Sequence, residues 1–272
     1  MFEVLRADPC RFVKTLFDYH SLRRIWRAWW WRGTNAILAE ISTSQEVPPQ
    51  VFSPYQPPAI DRKHTHALLV IDASIPQYDR DAGARSSFLY LQILREMGHK
   101  VFFMPNDQLR REPYASMLES LGVQLLIGRG FRCGQWKQWL SNQAGQISHI
   151  ILHRPNVAKQ YLASIKKRCN TKIIYFAHDL RFIREERQFE VNGDFFHYKE
   201  AIYWEKVERR IISQVNLAYF FSNEEARLVS EWGLSCILRS IPLFPVDLSS
   251  CLSQSFDQRA GLLFVGGFSH QP

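Results

Sequence analysis

The stretch that most restricts the fold is residues 67–98. Ala67-Leu68-Leu69-Val70-Ile71-Asp72 is an unbroken apolar run of strand length, closed by one acid. Such a run is the pattern of a strand buried on both faces. A polar loop follows, from Pro76 to Ala82. Gly83 then opens a run in which Phe88, Leu91, Leu94 and Met97 recur at helical spacing, with Arg95 and Glu96 off the stripe. Gly98 supplies the stop. A loop that feeds a helix just after a buried strand presents free backbone N–H groups and the positive end of a helix dipole. That geometry suits phosphate.

The same alternation continues along the chain. Strands are expected at 67–72, 100–104, 123–127, 148–152, 172–177, 216–221 and 235–240. Helices are expected at 83–97, 112–121, 135–144, 156–168, 198–214 and 223–232. Ser222-x-x-Glu225 is a capping box for the last of these. Buried strands alternating with amphipathic helices predict an α/β fold built on a doubly wound parallel sheet. Residues 63–258 are expected to form this domain. Gly261 to Phe268 reads as a fresh strand with a glycine turn, so 259–272 reads as the start of a second, Rossmann-like domain that is truncated at Pro272.

Two segments precede the domain. Residues 47–62 hold Pro48, Pro49, Pro54, Pro57 and Pro58 and read as a semi-extended linker. Residues 1–46 form a basic, Trp-rich extension. Within it Phe12, Leu16, Tyr19, Leu22, Trp26, Trp29 and Trp30 recur at helical spacing beside Arg23, Arg24, Arg27 and Arg32. Two readings of residues 11–32 stay open: a helix lying in a membrane surface, or one packed on the main domain or another protein.

Composition narrows the partners. Apolar residues make up 46% and charged residues 22%, enough core to exclude global disorder. The formal net charge of +8 fits anionic partners without choosing among nucleotide-sugar phosphates, lipid phosphates, a membrane surface and nucleic acid. Nucleic acid is disfavoured, because the aromatics sit in apolar strands and the Trp stripe rather than interleaved along a basic face. Five scattered cysteines without C-x-x-C read as reduced thiols. Neither a secretory leader nor a spanning stretch of about 20 apolar residues is expected. There is no Walker A motif and no G-x-S-x-G, and the first loop has one glycine where a dinucleotide fingerprint has three.

In open parallel sheets ligands sit at the carboxyl ends of strands. The polar residues expected there are Asp72, Asn106, Asp107, Arg129, His153, Arg154, His178, Asp179, Ser222 and Asn223. His178-Asp179 follows an apolar strand. The histidine could serve as acid or base, donate a hydrogen bond to a ligand hydroxyl, or only satisfy loop backbone. Arg154 could pair with an anion or sit in a surface ion pair. Arg181 and Arg184 lie in a mixed-charge run that reads as a solvated helix face or as partners for an anionic group. Asp79-x-Asp81 matches a short metal-holding acid pair, but aspartates before a helix are equally good caps. His64-x-His66 lacks a further ligand at metal spacing. No metal site is expected.

Taken in order, Val70 to Arg85, Gly98-His99-Lys100-Val101-x-Phe103, Pro113-Tyr114, Tyr175 to Arg187, Ser222-Asn223-Glu224-Glu225 and Phe264 to Pro272 resemble bacterial GT-B glycosyltransferases of the glycosyl-transferase group 1 type. The likeness covers roughly residues 66–272. It implies a Rossmann-like N-terminal domain on the acceptor side, with a second domain holding most of a nucleotide sugar. Gly83, Ala84 and Arg85, with Gly266 and Gly267, would then face the donor diphosphate. His178 and Asp179 would stand by the reacting sugar. His153, Arg154, Arg181 and Arg184 would meet a glycan or lipid-linked acceptor. The resemblance implies no metal or other cofactor, and a cytoplasmic protein on the inner face of the cell membrane in polysaccharide synthesis. The second domain's paired glutamates are missing. The chain therefore reads as inactive alone, as a fragment or as one completed by another chain. The alternative is a non-catalytic Rossmann-like module that binds a partner or a membrane surface.

Overall fold

The computed structural model describes residues 67–132 and 134–245, with 257 and 260–262. The extension at 1–46, the linker at 47–62, and Gly266 and Gly267 in the expected final strand lie outside the described residues. By compactness, the described residues of 67–127 and 137–262 group into one unit, and residues 128–136 fall outside it.

Seven strands form one sheet in the order β3-β2-β1-β4-β5-β6-β7, every pair parallel. They are β1 (Ala67–Asp72), β2 (Lys100–Pro105), β3 (Gln124–Leu125), β4 (Ile147–His153), β5 (Lys172–Phe176), β6 (Leu217–Phe220) and β7 (Ile237–Ser240). The helices are α1 (Ala82–Glu96), α2 (Tyr114–Ser120), α3 (Arg129–Arg132), α4 (Trp136–Gln143), α5 (Pro155–Lys166), α6 (Arg181–Asn192), α7 (Phe195–Ile212) and α8 (Asn223–Ser230). This is the Rossmann-like doubly wound domain that the alternation predicts. Among the described residues no helix is long and apolar enough to cross a membrane.

The two central strands explain the apolar runs. Every residue of β1 and β2 is buried. Alternate side chains serve opposite faces. On one face Val70, Val101, Phe103 and Ile151 join Leu91 of α1 and Tyr114 and Leu118 of α2 in a continuous core. Phe102, next to Phe103, instead meets the Trp139 ring of α4 edge-on at 5.1 Å. At the sheet's edge β3 is shorter than expected: only Gln124 and Leu125 pair, opposite Phe102 and Phe103.

Two departures matter for the site. The mixed-charge run after His178 is a full helix, α6, that buries Phe182 and Glu185. The helix expected from 198 begins at Phe195, because the Asp194 side chain accepts the Phe196 N–H as a cap. Strand order reverses at β1, whose neighbours are β2 and β4. The carboxyl ends of β1 and β4 therefore border the crevice where parallel sheets bind ligands.

Candidate functional site

Three strand ends deliver one buried cluster. Asp72 closes β1 and is 3% exposed; His153 closes β4 and is 3% exposed; His178 stands two residues beyond β5 and is 7% exposed. Asp72 Oδ1 accepts from the Ala73 N–H at 2.6 Å and from Arg154 Nε at 3.0 Å. Its Oδ2 accepts from Ser87 Oγ of α1 at 2.9 Å. His153 Nδ1 lies 3.5 Å from Asp72 Oδ2, 3.4 Å from Ser87 Oγ and 2.9 Å from His178 Nε2. The Phe176 ring stacks on His153 at 4.6 Å and meets His178 edge-on at 5.0 Å.

The local sequence sets this geometry. Arg154 precedes a proline, and that position is barred from the helical region. It follows β4 with φ 65°, while Pro155 starts α5 where its missing N–H costs nothing. The Arg154 N–H is fixed to the Phe176 carbonyl at 2.9 Å. His178 also has a positive φ, 66°. Such positions cost about 1–3 kcal/mol each and persist only when their surroundings hold them. Here the Ala177 N–H bonds the Tyr219 carbonyl, the Leu180 N–H bonds Glu225 Oε1, and Glu208 takes the Arg181 and Phe182 N–H groups, all at 3.0–3.1 Å.

Electrostatics follow from burial. Burial alone would raise the Asp72 pKa; the neighbouring His153, Arg154 and His178 and the Ala73 N–H outweigh it and hold the carboxyl well below the usual range. Arg154 is the standing cation among them. Burial drives His153 down to about 4 against the pull of Asp72, with Arg154 lowering it further. Burial, then His153 and Arg154, likewise hold His178 well below an ordinary histidine. Both rings are neutral at pH 7.

Gly83 comes up against the same cluster. A Cβ on Gly83 would lie 3.0 Å from Arg154 Nη2 and 3.4 Å from His178 Nδ1. Asp81 caps α1, its Oδ1 accepting the Ala84 N–H at 2.8 Å. Among the described residues, buried His178 Nδ1 has no hydrogen-bond partner. A neutral imidazole edge, a guanidinium and the first turn of α1 thus converge at Gly83, together with the capping Asp81 Oδ1, which lies 3.4 Å from the same Cβ position; the imidazole edge and the guanidinium suit a ligand oxygen that carries negative charge.

The other sequence candidates lie elsewhere. Asp179 is half-exposed and accepts from Arg184 Nη1 at 2.8 Å. Arg181 lies over the Trp204 ring at 4.0 Å and donates to Asn156 Oδ1, within the α5–α7 packing. Ala84 is buried in the first turn of α1, and Arg85 is exposed. Asp79 accepts from the Tyr114 hydroxyl at 2.6 Å, and Asp81 serves as the cap of α1. Sequence reasoning missed Ser87 and Glu208, and it placed Glu225 in the capping box of α8, whereas its side chain takes the Leu180 N–H.

Asp72, His153 and His178 can bring one donor atom each within 4.8 Å of the others. They do not fit a resident cation. Both Asp72 oxygens already accept hydrogen bonds, the two imidazole nitrogens lie 2.9 Å apart and pair with each other, and Arg154 already neutralises the carboxylate.

No protein-family model matches the sequence. No curated protein matches it. Among solved structures the chain is similar to Anabaena Alr3699/HepE in complex with UDP-glucose, with TM-score 0.41 and 11% identity over 65% of this chain and 43% of that one. It is also similar to Glycyrrhiza uralensis UGT73P12 complexed with glycyrrhetinic acid 3-O-monoglucuronide, with TM-score 0.39 and 10% identity over 68% of this chain and 49% of that one. The chain spans less than half the length of either.

Proposed function

We propose that the chain is the acceptor-side domain of a GT-B glycosyltransferase that moves a sugar from a nucleotide-sugar donor to a glycan or lipid-linked acceptor. One observation carries the reading: Gly83, Arg154 and His178 meet at the carboxyl end of the sheet beside its switch point. As the sugar departs, negative charge grows on the leaving diphosphate. The first turn of α1 and Arg154 stabilise that charge without reorganising. Gly83 lets the diphosphate approach backbone that any side chain would cover. His178 stands beside the reacting sugar, and the Asp179–Arg184 pair stands at the rim. Gly266 and Gly267 border the donor, as the resemblance implies. Envelope polysaccharide synthesis at the cytoplasmic membrane face fits the basic, Trp-rich residues 11–32 as the part that meets a lipid-linked acceptor.

The test is transfer of radiolabelled sugar from UDP-, GDP- and dTDP-sugars into lipid and polysaccharide fractions by the full-length gene product. Gly83→Val is the paired variant. Its side chain displaces Arg154, so transfer is expected to fall at least about tenfold. Only a small fall in melting temperature is expected, because the atoms nearest the new Cβ are side-chain ends, Arg154 Nη2 at 3.0 Å and Asp81 Oδ1 and His178 Nδ1 at 3.4 Å, and Arg154 keeps its Nε on Asp72. No transfer from any nucleotide sugar, or equal transfer by Gly83→Val, refutes the assignment.

A further inference from the structure

We infer that Asp72 and His153 are positioning residues that lock His178 as its Nδ1–H tautomer, so that His178 offers a hydrogen-bond donor, not a base, to an anionic oxygen of a ligand at the first turn of α1. His153 Nδ1 decides the tautomer. Three groups face it: Asp72 Oδ2 at 3.5 Å, Ser87 Oγ at 3.4 Å and His178 Nε2 at 2.9 Å. The Ser87 hydrogen is already given to Asp72 Oδ2, so the hydroxyl turns a lone pair toward the ring. An unprotonated His153 Nδ1 would oppose its own lone pair to a carboxylate oxygen and a hydroxyl lone pair. A protonated one faces acceptors on every side. The proton therefore sits on His153 Nδ1 and is donated to the nearest acceptor, His178 Nε2.

The consequence reaches the ligand side of the cluster. A neutral imidazole carries a single N–H. With Nε2 accepting, His178 must hold its hydrogen on Nδ1. That atom is buried with no hydrogen-bond partner among the described residues, and it borders the Gly83 turn, which Arg154 Nη2 and Asp81 Oδ1 also approach. Donor, guanidinium and helix N-terminus together select a phosphate or carboxylate oxygen. A ligand hydroxyl that must lose its proton gains nothing from an N–H. Only the identity of the ligand rests on the proposed function; the tautomer does not.

The decisive measurement is the pair of ring nitrogens of His178 in the full chain labelled with 15N-histidine, assigned by loss of its signals in His178→Asn. At pH 7.5 the expected state is a protonated Nδ1 and an unprotonated Nε2. Nε2–H or an imidazolium overturns the inference. In Asp72→Asn an amide can donate to His153 Nδ1, and the His178 proton is expected to move to Nε2; an unchanged tautomer removes Asp72 from the relay. If that variant does not fold, the wild-type spectrum still decides. Inorganic phosphate and pyrophosphate, titrated at constant ionic strength against chloride, are expected to shift the His178 Nδ1–H signal. Arg154→Gln should weaken that binding at least tenfold. An Nδ1–H that neither anion perturbs overturns the ligand half. The expected tautomer and anion response, without transfer from any nucleotide sugar, would sink the glycosyltransferase reading and leave this one standing.

Discussion

Asp72→Ala is expected to lower the unfolding free energy by about 3–5 kcal/mol, the range for removing one partner of a buried ion pair. The carboxylate is 3% exposed and has a partner on every side. Its loss leaves the Ala73 N–H, the Ser87 hydroxyl and Arg154 Nε without their acceptor, and leaves the guanidinium beside two buried imidazoles with only the more distant Asp81 and Asp179 carboxylates. For a domain of this size the drop corresponds to roughly 6–20 °C in melting temperature. Asp72→Asn keeps the shape and one acceptor oxygen, so it should recover part of the loss. Urea unfolding at pH 7.5 checks both. A cost below about 1 kcal/mol for the alanine variant would mean that the cluster is not charged as described.

The same cluster sets the acid limit. An unfolded histidine takes its proton near 6.5, whereas His153 in the fold waits until about 4. Between those values the unfolded state binds more protons, so stability falls as pH falls. Below about 4 the unfolded Asp72 protonates while the folded carboxyl, held well below its usual range, does not. Stability is lost further there. Asp72→Ala should lose this second, most acidic part of the decline.

How much of this could be read from sequence depends on the range of each interaction. The strands and helices are local periodicities, and β1, β2, α1 and α8 with its Ser222 cap sit within a few residues of expectation. That polar residues gather at strand ends also follows from a parallel sheet alone. Which of them touch does not. His153 and His178 meet because β4 and β5 pair with Leu152 opposite Tyr175 and His153 opposite Phe176, a register no local pattern records. Asp179, adjacent to His178 in sequence, turns to the rim and pairs with Arg184. Arg181 and Arg184 are on a helix, but it is pinned by carboxylates that arrive from α7 and α8. One signal was available. Ala201, Trp204, Glu208 and Ile211 lie at spacings of three and four, which puts an acid on the buried stripe of α7.

That acid supplies the second large effect. Glu208 is fully buried and caps α6 across the tertiary interface, taking the Arg181 and Phe182 N–H groups at 3.1 Å each. Leu180 precedes α6 and has no side chain able to do so. Glu208→Ala leaves two buried donors unmet and a void in the α6–α7 packing, so it is expected to cost about 2–4 kcal/mol. Because the same turn holds His178 at its positive φ, the His178 ring signals should broaden in this variant. The pH dependence has the opposite sign to that of Asp72. Burial pushes the Glu208 carboxyl up to about 8, against the pull of the Phe182 and Arg181 N–H groups. An unfolded glutamate ionises near 4.3. Between those values the native state binds more protons, so this group's contribution falls as pH rises and levels off above about 8. Glu208→Gln cannot ionise, but its NH2 group opposes one of the two N–H donors. It should be less stable than wild type by about 1–2 kcal/mol at pH 5, and that deficit should shrink or reverse by pH 9. Unfolding midpoints of both proteins across that range settle it: a deficit that grows with pH means the carboxyl is ionised in the fold and stabilises α6 as a charged cap.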